Sequence, residues 1–246
     1  MSADAIFLPG IIAPVAVRYA PLLEHLSDAR VLLTELAIYA GDQPPRDYSI
    51  DTEVAAIGET AGRAGLRRFH LCAHSGGAAC ALAFAAAFPE RLLSLAVDEP
   101  ATDFTVEDHA DPYWGEIAAA RALPVPEAMT AFLRLQLSPG VELPPRPPGP
   151  PPPWMAKRAA GISVFPTAVE RHRVDPSRYR AFGAPVLFTH GSLSHPRWMA
   201  MRDRLSGWFP DFRSVLFEGL HHLNTSHQAE PARTAALLRE LWSRAA

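Results

Sequence analysis

The sequence predicts an α/β fold: a mostly parallel sheet of about six strands, helices on both faces, and a helical insertion late in the chain. Three observations carry this. Short apolar runs rich in β-branched or aromatic residues alternate with longer helical patterns, the signature of a parallel sheet built from βα units. One strand-to-helix junction, around Ser75, is crowded with small residues. The alternation then fails over one long stretch after Pro100. The chain's 246 residues can bury a substantial core.

The predicted strands run Ala5 to Leu8, Arg30 to Glu35, Phe69 to Ala73, Leu92 to Val97, Pro185 to Thr189 and Ser214 to Phe217. Helical patterns lie between them at about Ala20 to Leu26, Asp51 to Ala64, Gly76 to Phe88, Pro196 to Trp208 and Pro231 to Arg244. Ser49 is placed to accept from the free amides opening the second helix, and Asp51 and Glu53 put negative charge in its positive first turn. Phe88-Pro89 stops the alanine-rich helix, because proline disfavours helical geometry in the residue before it.

Residues 1–100 and 182–246 read as the core, and 101–181 as an insertion with helices at Ala110 to Leu123, Glu127 to Leu137 and Trp154 to Glu170. Between them, Ser138 to Pro153 carries nine prolines and is expected to run as stiff polyproline II. Trp154 and Met155 suggest that it docks back onto the body; an adaptor segment for a partner domain is the other reading.

With 48% hydrophobic and 20% charged residues and a net charge of -3, the composition is that of a globular domain without the basic field that nucleic acid demands. Cys72 and Cys80 lack a metal-type spacing and read as reduced core residues. No apolar run approaches membrane-spanning length, so a cytoplasmic protein without a membrane span is expected. Gly58, Gly62 and Gly65 lack the preceding strand of a phosphate loop, and His70, His172, His190, His195 and His227 lack the spacing of a metal site, so neither metal nor cofactor is expected.

The chemistry concentrates at Ala73-His74-Ser75-Gly76-Gly77. A serine on a tight turn from a buried strand into a small-residue helix projects its hydroxyl above the sheet edge, where it acts as a nucleophile; the alternative role is a helix N-cap. Such a serine needs a base, and Glu218-Gly219-Leu220-His221-His222, after the last strand, overlooks the same edge.

With these two segments the chain resembles the α/β-hydrolase superfamily. Ala73 to Gly77 is similar to its Gly-x-Ser-x-Gly turn, and Gly219 to His222 to its Gly-x-Gly-His stretch. The resemblance implies Ser75 as nucleophile and His222 as base, with His221 as the competing imidazole. Leu8-Pro9-Gly10-Ile11 resembles the family's His-Gly-x turn, which implies an oxyanion hole from the amides of Ile11 and Gly76. The family's usual aspartate after the penultimate strand is replaced by Ser194. The second arrangement known in the superfamily, seen in many haloalkane dehalogenases, places the acid after the strand that follows the nucleophile helix. That resemblance implies Glu99, with Asp98, Glu218 and a Ser194-assisted dyad as alternatives. Because the nucleophile is a serine rather than the aspartate of the dehalogenases, the implied reaction passes through an acyl-enzyme.

The expected function is cleavage of a carboxylic ester or related acyl bond. A thioesterase, a lactonase, a carbon-carbon bond hydrolase and a non-catalytic small-molecule binder share the same features. The insertion reads as a helical cap whose Trp114 and Trp154, with Phe132, Met155 and Phe165, favour a small-molecule substrate with an apolar portion.

Overall fold

The computed structural model describes residues 3–145 and 148–245. Six parallel strands, β1 (Asp4–Leu8), β2 (Arg30–Leu33), β3 (Phe69–His74), β4 (Leu92–Asp98), β5 (Val186–Gly191) and β6 (Phe212–Phe217), form one sheet in the order β2-β1-β3-β4-β5-β6. The helices of the two flanks are α1 (Val15–Leu23), α2 (Ile50–Arg63), α3 (Ser75–Ala87), then α9 (Arg197–Trp208), α10 (Ser226–Ala229) and α11 (Pro231–Ser243). Between β4 and β5 lie α4 (Val106–His109), α5 (Tyr113–Arg121), α6 (Val125–Arg134), α7 (Arg158–Arg171) and α8 (Pro176–Arg180). Among the described residues, no helix is long and apolar enough to cross a membrane.

Strand side chains alternate between two cores, as the twofold strand period requires. Ile6, Leu8, Leu71, Ala73, Leu95, Val97 and Phe188 pack with α2, α3 and α9. Ala5, Phe7, Cys72, Ala96 and Leu187 pack with α1 and α11. All but the last residue of α3 is buried, and its small side chains let it lie close against the sheet.

Several boundaries differ from the pattern-based expectation. Helix α1 starts at Val15 and runs through Pro21, where the reading placed a start near Ala20. Its Val15, Tyr19 and Leu22 bury one face against the sheet, and that packing outweighs the amide lost at Pro21. The helix expected over Ala110 to Leu123 is shorter, Tyr113–Arg121, with the Asp111 carboxylate accepting from the Tyr113 amide at 2.9 Å at its start, and the separate short α4 precedes it. The proline-rich segment is not one continuous polyproline helix. The Val141 amide closes a turn onto the Ser138 carbonyl at 3.0 Å, and Gly140 and Gly149 take φ of +85° and +98°. Arg146 and Pro147 of that segment lie outside the described residues.

At the β3–α3 junction the backbones meet without room for side chains. The Gly77 amide donates to the Pro9 carbonyl at 3.1 Å, and a Cβ on Gly77 would stand 2.2 Å from that oxygen and 2.9 Å from the Leu8 Cβ. Since both neighbours belong to β1 and the turn after it, neither can yield locally. Gly77→Ala is therefore expected to cost about 3 kcal/mol or more and to lower Tm by roughly 6–12 °C; a thermal melt within about 2 °C of the parent would contradict the close approach.

Candidate active site

Ser75 is the first residue of α3, reached directly from the buried strand β3, and its φ is 53°. A non-glycine residue in the left-handed region costs on the order of 1–3 kcal/mol and persists only where its surroundings fix it. Here three contacts fix it. The Ser75 carbonyl accepts from the Ala101 amide at 3.0 Å, the following turn is tied to Pro9, and Gly10 approaches so closely that a Cβ there would lie 3.1 Å from the Ser75 Cβ.

The Ser75 Oγ lies 2.9 Å from Nε2 of His222, which stands on the connection from β6 to α10. The His222 Nδ1 lies 2.7 Å from Oε2 of Glu99, and the other Glu99 oxygen accepts the Gly191 amide at 2.8 Å. Glu99 follows β4 with φ 46°, its amide donating to the Thr189 carbonyl at 3.1 Å. That left-handed turn separates two consecutive acids. Asp98 faces α10, while Glu99 reaches across the sheet edge to the imidazole. Trp198 lies flat on the His222 ring, centroids 4.4 Å apart at 12°, and its own indole N–H donates to the Pro100 carbonyl at 2.9 Å.

All three side chains are buried. Burial, and then the positive field of Arg18, push His222 down to about 3, so the ring is neutral with Nε2 free to accept. Burial, followed by the adjacent Asp98 carboxylate, raises Glu99, against the Ser194 hydroxyl, the Gly191 amide and Arg18. Both shifts disfavour a separated ion pair, and the proton between Nδ1 and Oε2 is held in the short hydrogen bond.

The alternative acids stand elsewhere. Asp98 accepts from Thr189 at 2.8 Å, from Ser226 at 3.1 Å and from Thr225, and pairs with His227 Nδ1 at 2.9 Å rather than with His222. Glu218 is exposed on the way out of β6. Ser194 faces Glu99 without closing a well-aligned hydrogen bond to it or to His222. The backbone of His221 forms a local bridge with Asn224.

Ile11 and Gly76 line a cavity of about 30 Å³ together with Ser75, Trp114, Phe132 and Phe165. A Cβ on Gly76 would stand 2.5 Å from the Ile11 Cγ2, so the Ile11 side chain packs directly onto Gly76. Trp114 presents a buried indole N–H without a partner. Trp154 is not in this lining; it lies 5.9 Å from the Arg158 guanidinium, which itself pairs with Glu35 at 3.2 Å.

Behind the serine lies a second polar cluster that the sequence reading left out. Arg18, buried on α1, donates to His74 Nε2 at 2.7 Å, to Gln228 at 2.9 Å, and to the His222 and Leu223 carbonyls at 3.4 and 3.5 Å. His74, Asp98 and His227 bring one potential metal-ligand atom each within 4.8 Å of one another. Arg18 already supplies positive charge there, and an imidazole accepting from it at Nε2 carries its proton at Nδ1, toward Asp98. Three hydroxyls fill the carboxylate's remaining acceptor sites. The trio therefore does not fit a cation and acts as a hydrogen-bonded brace for the His222 loop. Arg18 carries a legible signal, since Val15, Arg18, Tyr19 and Leu22 follow the i, i+3, i+4, i+7 rule of one buried helix face, a pattern that a helix beginning near Ala20 does not contain.

A family model described as alpha/beta hydrolase fold matches residues 6–228. Among solved structures, a thermophilic esterase from Thermogutta terrifontis superposes with a TM-score of 0.74 at 15% identity, covering 100% of this chain and 91% of that one. Naproxen esterase (carboxylesterase NP) from Bacillus subtilis gives 0.68 at 15% identity, over 98% and 84%. The 2-hydroxy-6-oxo-6-phenylhexa-2,4-dienoate hydrolase from Rhodococcus sp. strain RHA1 gives 0.68 at 15%, over 98% and 91%. At such identities these likenesses speak for the fold alone. No curated protein sequence matches the chain.

The buried histidines make stability depend on pH. Burial, then Arg18, hold His227 down at about 4. Between the unfolded value near 6.5 and about 4, the unfolded chain binds a proton that the folded chain refuses, so stability is complete above that window and falls as pH drops through it. His227 alone accounts for a loss on the order of 3 kcal/mol across the window. Urea midpoints measured from pH 7 to 4.5 should decline, and His227→Gln, which cannot titrate, should flatten the decline; a profile that His227→Gln leaves unchanged would contradict this assignment.

Proposed function

The chain belongs to the alpha/beta hydrolase fold family, and on that premise we propose that it is a serine hydrolase cleaving a carboxylic ester or related acyl bond through an acyl-enzyme. The observation that carries this reading is the single buried hydrogen-bonded chain from Ser75 Oγ through His222 to Glu99. A lone buried serine has no such relay, and a structural N-cap has no use for one.

His222 Nε2 takes the Ser75 proton as Oγ attacks the substrate carbonyl, and Glu99 stabilises the imidazolium that forms. The amides of Ile11 and Gly76 receive the developing oxyanion; fixed donors of this kind are each worth roughly 3 kcal/mol in the transition state. The imidazolium then returns its proton to the leaving group. In the second half, His222 activates water, which attacks the acyl carbon and frees Ser75.

Arg18 and Asp98 are positioning residues in this scheme, holding the His222 carbonyl and the Thr225–His227 stretch. The helices α4 to α8 form the cap. Trp114, Phe132 and Phe165 favour an apolar portion next to the ester, and the unpartnered Trp114 N–H offers it one donor.

A fluorophosphonate should label the protein on the peptide carrying Ser75, and Ser75→Ala should abolish both labelling and p-nitrophenyl butyrate hydrolysis. An unlabelled protein of normal fold would replace the hydrolase reading with that of a non-catalytic binder. Within the relay, Glu99→Gln keeps shape and removes charge, and is expected to lower kcat by about 10⁴. Ser194→Ala should change kcat by less than about tenfold, because its hydroxyl does not contact the imidazole. The reverse ranking would move the acid away from Glu99.

A further inference from the structure

The space beside Ser75 does not end at its small cavity. Ile117, Phe132 and Pro166 form part of that cavity's wall and are at the same time part of the wall of a second one, a half-open chamber of about 340 Å³ between α5, α6 and α7. The first, at about 30 Å³, has room for little beyond the reacting carbonyl. The second falls in the size range of small-molecule sites. Three side chains therefore separate the proposed nucleophile from a chamber that the proposed mechanism does not use.

The chamber's chemistry is apolar. Leu123, Ala128, Met129 and Ile162 supply its walls, and methionine adapts to occupants of varied shape. Its one cation, Arg121, is drawn onto α7, donating to the Ser163 carbonyl at 3.0 Å and the Thr167 hydroxyl at 2.9 Å, with Glu170 at 3.5 Å. Nothing in the lining is left to hold an anionic head group, so the occupant is an uncharged chain.

Resting on the serine-hydrolase reading, we propose that this chamber receives the extended hydrocarbon chain of the substrate ester, threaded past Phe132 and Ile117 from the carbonyl at Ser75. The substrate class is then esters that carry a medium-length hydrocarbon chain rather than short-chain or compact esters. The chain can belong to the acyl or to the alcohol side, and both present the same methylenes to the same walls.

The test compares p-nitrophenyl butyrate with p-nitrophenyl octanoate, and butyl acetate with octyl acetate, on the full-length protein. Each methylene transferred from water into an apolar site contributes up to about fourfold, so in at least one series kcat/KM should rise by tenfold or more, as a conservative bound on four methylenes. The series that rises assigns the chain to the acyl or the alcohol side. Ala128→Trp on α6 fills the chamber, and Ile162→Trp fills it from the opposite wall should the first fail to fold; either should bring the long-to-short ratio to within about threefold of unity. Fluorophosphonate labelling of Ser75 on the same samples separates the two claims. Labelled protein without length preference in either series, or with a preference that both tryptophan variants retain, overturns the chamber and leaves the hydrolase reading standing. Protein that neither labels nor hydrolyses any ester overturns the hydrolase reading, and the chamber's role with it.

Discussion

The site is assembled around one side chain. Glu99 takes the Gly191 amide on one oxygen and His222 Nδ1 on the other, and its own amide holds the Thr189 carbonyl. Through these contacts it joins the end of β4, the end of β5 and the loop after β6. Because the carboxylate is fully buried, breaking either contact would leave an acceptor without water to replace it, a cost of about 1–3 kcal/mol and more for a charged group. The left-handed turn at Glu99 is thus held from both ends, as is the one at Ser75. Two strained residues at neighbouring strand ends aim a hydroxyl and a carboxylate at the two nitrogens of one ring.

The second buried carboxylate explains how so much polarity is tolerated there. Asp98 and Glu99 are consecutive and both buried, an arrangement that would repel without compensation. Asp98 is held well below the usual carboxylate range by His227 and His74, against the cost of its burial. Arg18 supplies the cation, and burial, followed by Arg18, keeps His74, His222 and His227 neutral. One positive charge therefore serves both the brace and the proposed base: it offsets Asp98 and, together with burial, keeps the His222 ring neutral and able to accept the Ser75 proton.

Much of this was legible in the chain. Apolar runs and turn punctuation place all six strands within about two residues of their ends, and Ser75 and His222, indicated by their local sequence and the family resemblance, meet Glu99, which the resemblance implies, in space. What was not legible depends on contacts distant in sequence. His227 reads as a lone histidine until the fold brings it 2.9 Å from Asp98. The choice between Asp98 and Glu99 turns on a single backbone angle at Glu99, which no residue type dictates. Trp154, expected near the substrate, instead lies with its ring 5.9 Å from the Arg158 guanidinium.

Glu99, and no other acid among the described residues, hydrogen-bonds His222 Nδ1 and so holds its proton. Proton NMR of protein carrying nitrogen-15 histidine tests it directly, because a short hydrogen bond to a buried carboxylate moves that proton far downfield. One such resonance should be present, vanish in His222→Ala, move upfield in Glu99→Gln and persist in Ser194→Ala. A resonance untouched by Glu99→Gln would contradict the account.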